Sequence, residues 1–313
     1  MLWLWVRLSY CVGDGVNKRN ASVEMDRLNW LGSELSGCVI SPPSGIDKAK
    51  IFLSNGLIFG ILSEGGLMEK IALITGASGG LGQAIVERLG REGWSLVVAG
   101  RSSRRLAEVY SGDHLQVEAD CSSRSGAQHL LQEAISRLGV PTALIHCAGN
   151  IRLGALHRMK EEDFLDCLNA NLVSAFHTLA AFVAALREAQ LAGAAVLVSS
   201  AAARIGTPNH EAVAAAKAGV EGLVRAAAAT YAPNGIRVNA VAPGIMTTPA
   251  TKSLLATPAM QEMAARQYPL PGIGSPGELA DLMAWLLSDA ASRVTGQVWS
   301  LDGGFSAIRP LVK

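Results

Sequence analysis

Residues 75–82 read Thr75-Gly76-Ala77-Ser78-Gly79-Gly80-Leu81-Gly82, between a short apolar run, Ile71–Thr75, and a stretch of helical spacing, Gln83–Arg91. No other feature of the chain constrains its fold as much. A short apolar run bounded by turn residues marks a strand buried on both faces. Glycines between such a strand and a helix have three uses: one permits the tight turn, one lets a pyrophosphate approach the backbone, and one lets the helix pack on the sheet. The helix N-terminus then offers unpaired N–H groups and a partial positive charge to an anion. In isolation the same text also suits a plain strand-to-helix turn. Its place at the opening of the first βα unit points to a dinucleotide.

Strands and helices alternate from there on. Apolar runs at Ser95–Ala99, Leu115–Glu118, Ala143–His146, Ala195–Ser199, Arg237–Ala242 and Gln297–Leu301 read as strands. Between them, Arg104–Tyr110, Gly126–Leu138, Glu161–Ala189 (split near Asn171), Glu211–Tyr231 and Glu278–Leu287 read as helices. The expected fold class is α/β: a single Rossmann-type domain with a doubly wound parallel sheet and helices on both faces.

This regular text begins at Met68. Residues 1–67 carry three of the six tryptophans, the pair Pro42-Pro43 and no sustained period. They are expected to be a leader, either a mis-called start or a poorly ordered extension, with residues 68–313 forming the dinucleotide-binding domain. N-terminal sequencing of native protein separates the two.

Half the residues are hydrophobic and 17% are charged, enough apolar material for a sizeable core. A formal net charge of +1 gives no support to nucleic-acid or membrane-surface binding. No apolar run reaches the roughly 18 residues of a membrane span. Cys11, Cys38, Cys121, Cys147 and Cys167 form no metal-ligand spacing, so no metal is expected. They read as reduced thiols of a cytoplasmic protein.

The spacing Gly76-xxx-Gly80-x-Gly82 after Thr75 resembles the fingerprint of the short-chain dehydrogenase/reductase family. The resemblance runs over about Met68–Ile308. Cys147-Ala148-Gly149 is similar to the family's Asn-Asn-Ala-Gly, with His146 and Cys147 in place of both asparagines. Asn171, Ser200, Pro243-Gly244 with Thr248, Thr295-Gly296-Gln297 and Asp302-Gly303-Gly304 follow in family order. The resemblance implies that Gly76, Ser78, Gly79, Gly80, Leu81, Gly82, Asp120, Cys121, Ala148, Gly149, Lys217, Pro243, Gly244 and Thr248 bind a nicotinamide dinucleotide. An acidic residue ending the second strand would favour NAD. Here that position is Gly100, followed by Arg101, whose guanidinium can fork onto a 2′-phosphate and favour NADP. Arg101 can equally be a solvated arginine like Arg104 and Arg105. Asp120 can equally be a helix cap.

In the family, a tyrosine four residues before a lysine protonates the carbonyl oxygen as hydride arrives. The resemblance carries over Ser200, Lys217 and Asn171 as catalytic residues. It does not carry over the tyrosine, because that position is Val213. His210, Glu211 and Tyr268 are candidate replacements, with His210 also readable as a solvent-facing helix start. Two functions therefore stay open. One is an NADP(H)-dependent oxidoreductase acting on a small apolar carbonyl, alcohol or enoyl substrate. The other is a catalytically impaired dinucleotide binder acting as a sensor or oligomer partner. The substrate loop is expected within Thr247–Pro271, and Met246, Leu254, Leu255, Met260, Met263 and Tyr268 favour an apolar substrate, since flexible methionines adapt to irregular shapes, although most of them can equally pack against the sheet. Alanine enrichment in Glu211–Tyr231 lets helix axes approach closely. With the resemblance, it implies a homodimer or homotetramer through this helix and the one after Asn171, rather than a nucleic-acid or membrane partner.

Overall fold

The strand Ile71–Thr75 (β1) is buried along its whole length, as its unbroken apolar text requires. The computed structural model describes residues 7–10, 19–22, 49–54, 57–63, 70–112 and 114–309. The chain divides into two compact units, Met1–Met68 and Glu69–Lys313. In the first, Arg7–Tyr10 pairs antiparallel with Arg19–Ser22, and Ala49–Ser54 pairs antiparallel with Leu57–Ser63. These strands lie in text read as lacking a strand period.

The second unit follows β1 with α1 (Gly80–Gly90), β2 (Ser95–Gly100), α2 (Ser103–Val109), β3 (Leu115–Glu118), α3 (Arg124–Leu138) and β4 (Ala143–His146). Then come α4 (Glu161–Leu168), α5 (Ser174–Glu188), β5 (Gly193–Val198), α6 (Glu211–Tyr231), β6 (Ile236–Pro243), α7 (Pro258–Ala265), α8 (Pro276–Leu287) and β7 (Val298–Leu301). Every strand pair in this sheet is parallel, in the order β7-β6-β5-β4-β1-β2-β3. The strand order reverses between β1 and β4, and in such sheets ligands bind beyond the carboxyl ends of the strands at that point. Thr75 and His146 are those ends.

Each face of the sheet has its own core. Phe182, Leu130, Leu144 and Val224 belong to one, Ile74, Ile85, Leu89 and Met283 to the other. The doubly wound fold class is therefore observed. The continuous helix Glu161–Glu188 is long and apolar enough to cross a bilayer by length and composition. Its residues Ala175, Leu179, Phe182, Val183 and Leu186 are instead buried in the core, which accounts for the apolar text. The expected split near Asn171 is a π-helical turn over Asn169–Val173. Such turns are frequent at functional sites.

Candidate active site

The glycine turn is shaped by close backbone approach. Gly76 takes φ +64°, and a Cβ there would lie 2.7 Å from the Ala148 amide nitrogen. A Cβ on Gly82 would strike the Gly76 carbonyl oxygen and stand 2.6 Å from Ala77 Cα. The turn therefore packs against the segment Cys147-Ala148 that follows β4 on one side and its own helix on the other. Gly79 is the N-cap of α1 and supplies no side-chain cap, and the first turn has no acidic residue. The N–H groups of that turn are left for an anion. Thr248 and Pro249, from the loop after β6, come to within 3.0–3.1 Å of the Cβ position of Gly80. The glycine turn and the loop after β6 thus meet across one gap.

At the far end of β2, Ser102 caps α2 by accepting from the Arg105 N–H at 3.3 Å. The preceding Arg101 is exposed and has no ion pair among the described residues. Arg104, by contrast, pairs with Glu108. Asp120 Oδ1 accepts from the Ser122 N–H and hydroxyl at 3.0 and 2.7 Å, which hold its carboxyl below the usual range. The cap of α3 is Ser123, not Asp120, so the helix-cap alternative for Asp120 is corrected. Cys121 is buried beneath this turn.

Deeper in, Lys217 projects from α6 and donates to the Val198 carbonyl at 2.8 Å. Its ammonium has two further protons to give. Burial pushes its pKa down to about 8, opposed by the nearby Cys147 and Cys167. A Cβ on Gly149 would lie 3.5 Å from Lys217 Nζ and would strike Asn171 Oδ1. The π-helical turn aims Asn171 inward. Its amide nitrogen donates to the Asn150 and Cys167 carbonyls at 3.0 and 2.9 Å, while Oδ1 is buried with no hydrogen-bond partner. An orphaned acceptor beside a partly satisfied ammonium suits a hydroxyl-bearing ligand or bound water.

Ser200 follows β5. Its Oγ accepts from the Ala202 N–H at 3.2 Å, so its own proton is available to a ligand oxygen. Ser199 does other work: it is buried and donates to Glu221 Oε1 at 3.0 Å, where Arg204 also binds.

Ser200, Lys217, Asn171 and Val213 line one cavity of about 490 Å³. The expected substrate-loop residues Met246, Leu254, Met260, Met263 and Tyr268 line it too, whereas Leu255 does not. His210 also lines it, at the start of α6 where the sequence reading placed it. Glu211 is not among the lining residues. The Tyr268 oxygen accepts from the Ile245 N–H at 2.7 Å, and burial raises its pKa.

Asn150 and Asp166 were missed by the sequence reading. Asn150 Nδ2 donates to Asp166 Oδ2 at 2.7 Å, with Arg152 on the same carboxylate. The network braces the Asn150 carbonyl that Asn171 binds.

A model of the family described as enoyl-(acyl carrier protein) reductase matches residues 76–306. The 3-oxoacyl-[acyl-carrier-protein] reductase FabG of Staphylococcus aureus is 33% identical over 244 residues, covering 76% of this chain and 98% of its own. FabG of Thermotoga maritima is 35% identical with the same coverage. The chain is a short-chain dehydrogenase/reductase. Among solved structures, ligand-free aldohexose dehydrogenase of Thermoplasma acidophilum matches this oxidoreductase with TM-score 0.72 and 26% identity, over 78% of this chain and 97% of its own. ElxO with NADP bound shares the fold, with TM-score 0.71 and 23% identity, over 76% of this chain and 99% of its own.

The residues of this short-chain dehydrogenase/reductase fit a nicotinamide dinucleotide. Blocked Cβ positions at Gly76 and Gly82 leave a bare backbone cradle at an open helix N-terminus. The free Asn171 oxygen and the spare Lys217 protons lie farther along the same edge of the sheet.

Proposed function

We propose that the chain is an NADP(H)-dependent reductase of a small apolar carbonyl compound, with a 3-oxoacyl thioester as the first substrate class to test. The observation that carries this reading is the convergence of Ser200, Lys217 and Asn171 on one largely apolar cavity at the strand-order reversal. The names of the FabG relatives supply the substrate class.

Gly76, Ser78, Gly79, Gly80, Leu81 and Gly82 would take the pyrophosphate. Arg101 would take the 2′-phosphate, and Asp120 with Cys121 would border the adenine. Ala148, Gly149, Pro243, Gly244 and Thr248 would flank the nicotinamide end. The cofactor, when bound, supplies a hydride to the carbonyl carbon. Lys217 would hold ribose hydroxyls through its two spare protons, Asn171 Oδ1 would accept from a water beside it, and Ser200 would donate a hydrogen bond to the carbonyl oxygen. A donor aimed where negative charge develops is worth about 10²–10³ in rate.

Arg101→Glu is expected to weaken NADPH binding by about 10–100-fold, the worth of a charge-assisted contact, with little loss for NADH. Equal losses for both cofactors would refute the role of Arg101. The second reading, a binder without turnover, is favoured by one observation: Val213 stands where the family places its general acid. NADPH titration followed by reduction of acetoacetyl thioester decides between them. Binding with turnover is expected. Tight binding with no turnover of ketones, quinones or thioesters selects the binder, and no binding overturns both.

An assembly through α5 and α6 is part of the proposal, as is a cytoplasmic location with reduced cysteines. Ala215, Ala218, Ala226 and Ala229 of α6 are exposed, while Ala212, Ala216, Ala227 and Ala228 face the core. Phe176 at the start of α5 is 43% exposed. Light scattering is expected to give a dimer or tetramer, and a monomer at micromolar concentration contradicts it.

A further inference from the structure

We infer that His210 is the proton donor that stands in for the missing tyrosine, delivering a proton from Nε2 to the substrate's carbonyl oxygen. This rests on the reductase reading above. Val213 is 5% exposed and packs with Cys167 and Ala216, so its side chain closes the wall without offering a proton. His210 precedes it by one helical turn, and residues three apart share a helix face.

One hydrogen bond orients the imidazole. His210 occupies the N-cap of α6 but makes no capping bond. Its Nδ1 instead lies 2.8 Å from the Pro208 carbonyl. A carbonyl only accepts, so Nδ1 carries a hydrogen and donates. Nε2 has no hydrogen-bond partner among the described residues, on a ring that lines the cavity with Ser200. The loop bearing the ring is pinned as well. Asn209 takes φ +61°, and its carbonyl accepts from the Gly154 N–H at 3.0 Å. A left-handed asparagine braced by a distant backbone bond aims the next residue at a set place.

Other titratable groups around the ring are accounted for. Lys217 and Cys147 line the cavity, and Glu211, next in sequence and outside the cavity lining, has a buried Oε2 without a hydrogen-bond partner. Tyr268 lies on the same cavity, with its oxygen held by the Ile245 amide. In reduction the carbonyl carbon gains the hydride that NADPH provides. The C=O π pair moves to oxygen, which takes the Nε2 proton of the imidazolium. The ring is left neutral with its Nδ1 hydrogen in place, and water returns a proton to Nε2.

His210→Gln keeps a hydrogen-bonding amide but has no transferable proton. Its kcat for acetoacetyl thioester is expected to fall by about 10²-fold or more, with NADPH affinity unchanged. Adding Val213→Tyr to that variant should restore at least about tenfold, because it returns a phenol of the usual kind to the wall. A readout independent of turnover is the ¹⁵N signal of His210 Nε2 in the cofactor-free protein, which should move when 3-hydroxybutyryl thioester is added.

Unchanged turnover in His210→Gln overturns the donor role alone, as does a ring signal that ignores the thioester. A loss confined to Tyr268→Phe assigns the proton elsewhere and also overturns it. A wild type that binds NADPH yet reduces nothing overturns the reductase reading, and the donor with it.

Discussion

Lys217→Met is expected to weaken NADPH binding by about 10–100-fold, the loss of one or two charge-assisted hydrogen bonds, and at the same time to stabilise the fold. The opposed signs come from one cause. Lys217 is 8% exposed and has a single protein acceptor among the described residues, the Val198 carbonyl. Burial holds its pKa near 8 instead of 10.5. Below pH 8 the lysine is charged in both folded and unfolded chains, and the folded state carries the whole penalty, about 3 kcal/mol. Between pH 8 and 10.5 the unfolded chain binds the proton more tightly, so stability rises with pH and the penalty fades. A methionine of similar length removes the charge and leaves the Val198 carbonyl one donor short, a loss of about 1 kcal/mol. The net gain at pH 7 is about 2 kcal/mol, or roughly 5 °C in Tm for a domain of this size. Thermal melts at pH 7 and pH 10 check it: the gain should shrink at the higher pH. A variant that melts earlier than wild type at pH 7 would show that the ammonium holds the fold together rather than serving a ligand.

The same lysine shows what could be read from the chain. It stands on α6, whose bounds Glu211–Tyr231 agree between text and structure because a long apolar period leaves little choice. Ile71–Thr75 and Ala143–His146 are likewise recovered residue for residue, since strands buried on both faces end where turn residues begin, and the half-exposed edge strand Leu115–Glu118 is recovered as well. Helix α7 was not expected. It is short, yet its Thr257-Pro258 start is the cap-then-proline pattern that opens helices, and that signal was available. Other features are not written locally. Asn150 meets Asp166 across sixteen positions. The facing of His210 depends on a left-handed Asn209 whose carbonyl is held by Gly154, a contact no periodicity encodes. The fold was therefore legible from buried runs and the glycine turn, while the far wall of the cavity was not.

His146 should make this protein acid-labile through a single side chain. It is 2% exposed, with Nδ1 2.9 Å from Thr75 Oγ1 and Nε2 3.1 Å from Ser174 Oγ. Burial, reinforced by the positive Lys217, pushes its pKa down to about 3. An unfolded chain protonates the same ring near 6.5. The contribution to stability is therefore complete above pH 6.5 and is lost as pH falls from there toward 3. The full loss is about 5 kcal/mol, and about 2 kcal/mol is already gone at pH 5, out of a typical total of 5–15. His146→Asn places a neutral amide, the residue of the family pattern, between the same two hydroxyls. Carboxylates that titrate in the same range affect both proteins alike, so the difference between them isolates the ring. Urea unfolding at pH 7 and pH 5 should show wild type losing about 2 kcal/mol more than His146→Asn over that interval. Parallel losses in the two proteins would mean that His146 takes up its proton in the folded state as readily as in the unfolded one, and that the Thr75–His146–Ser174 chain opens to water at the switch point of the sheet.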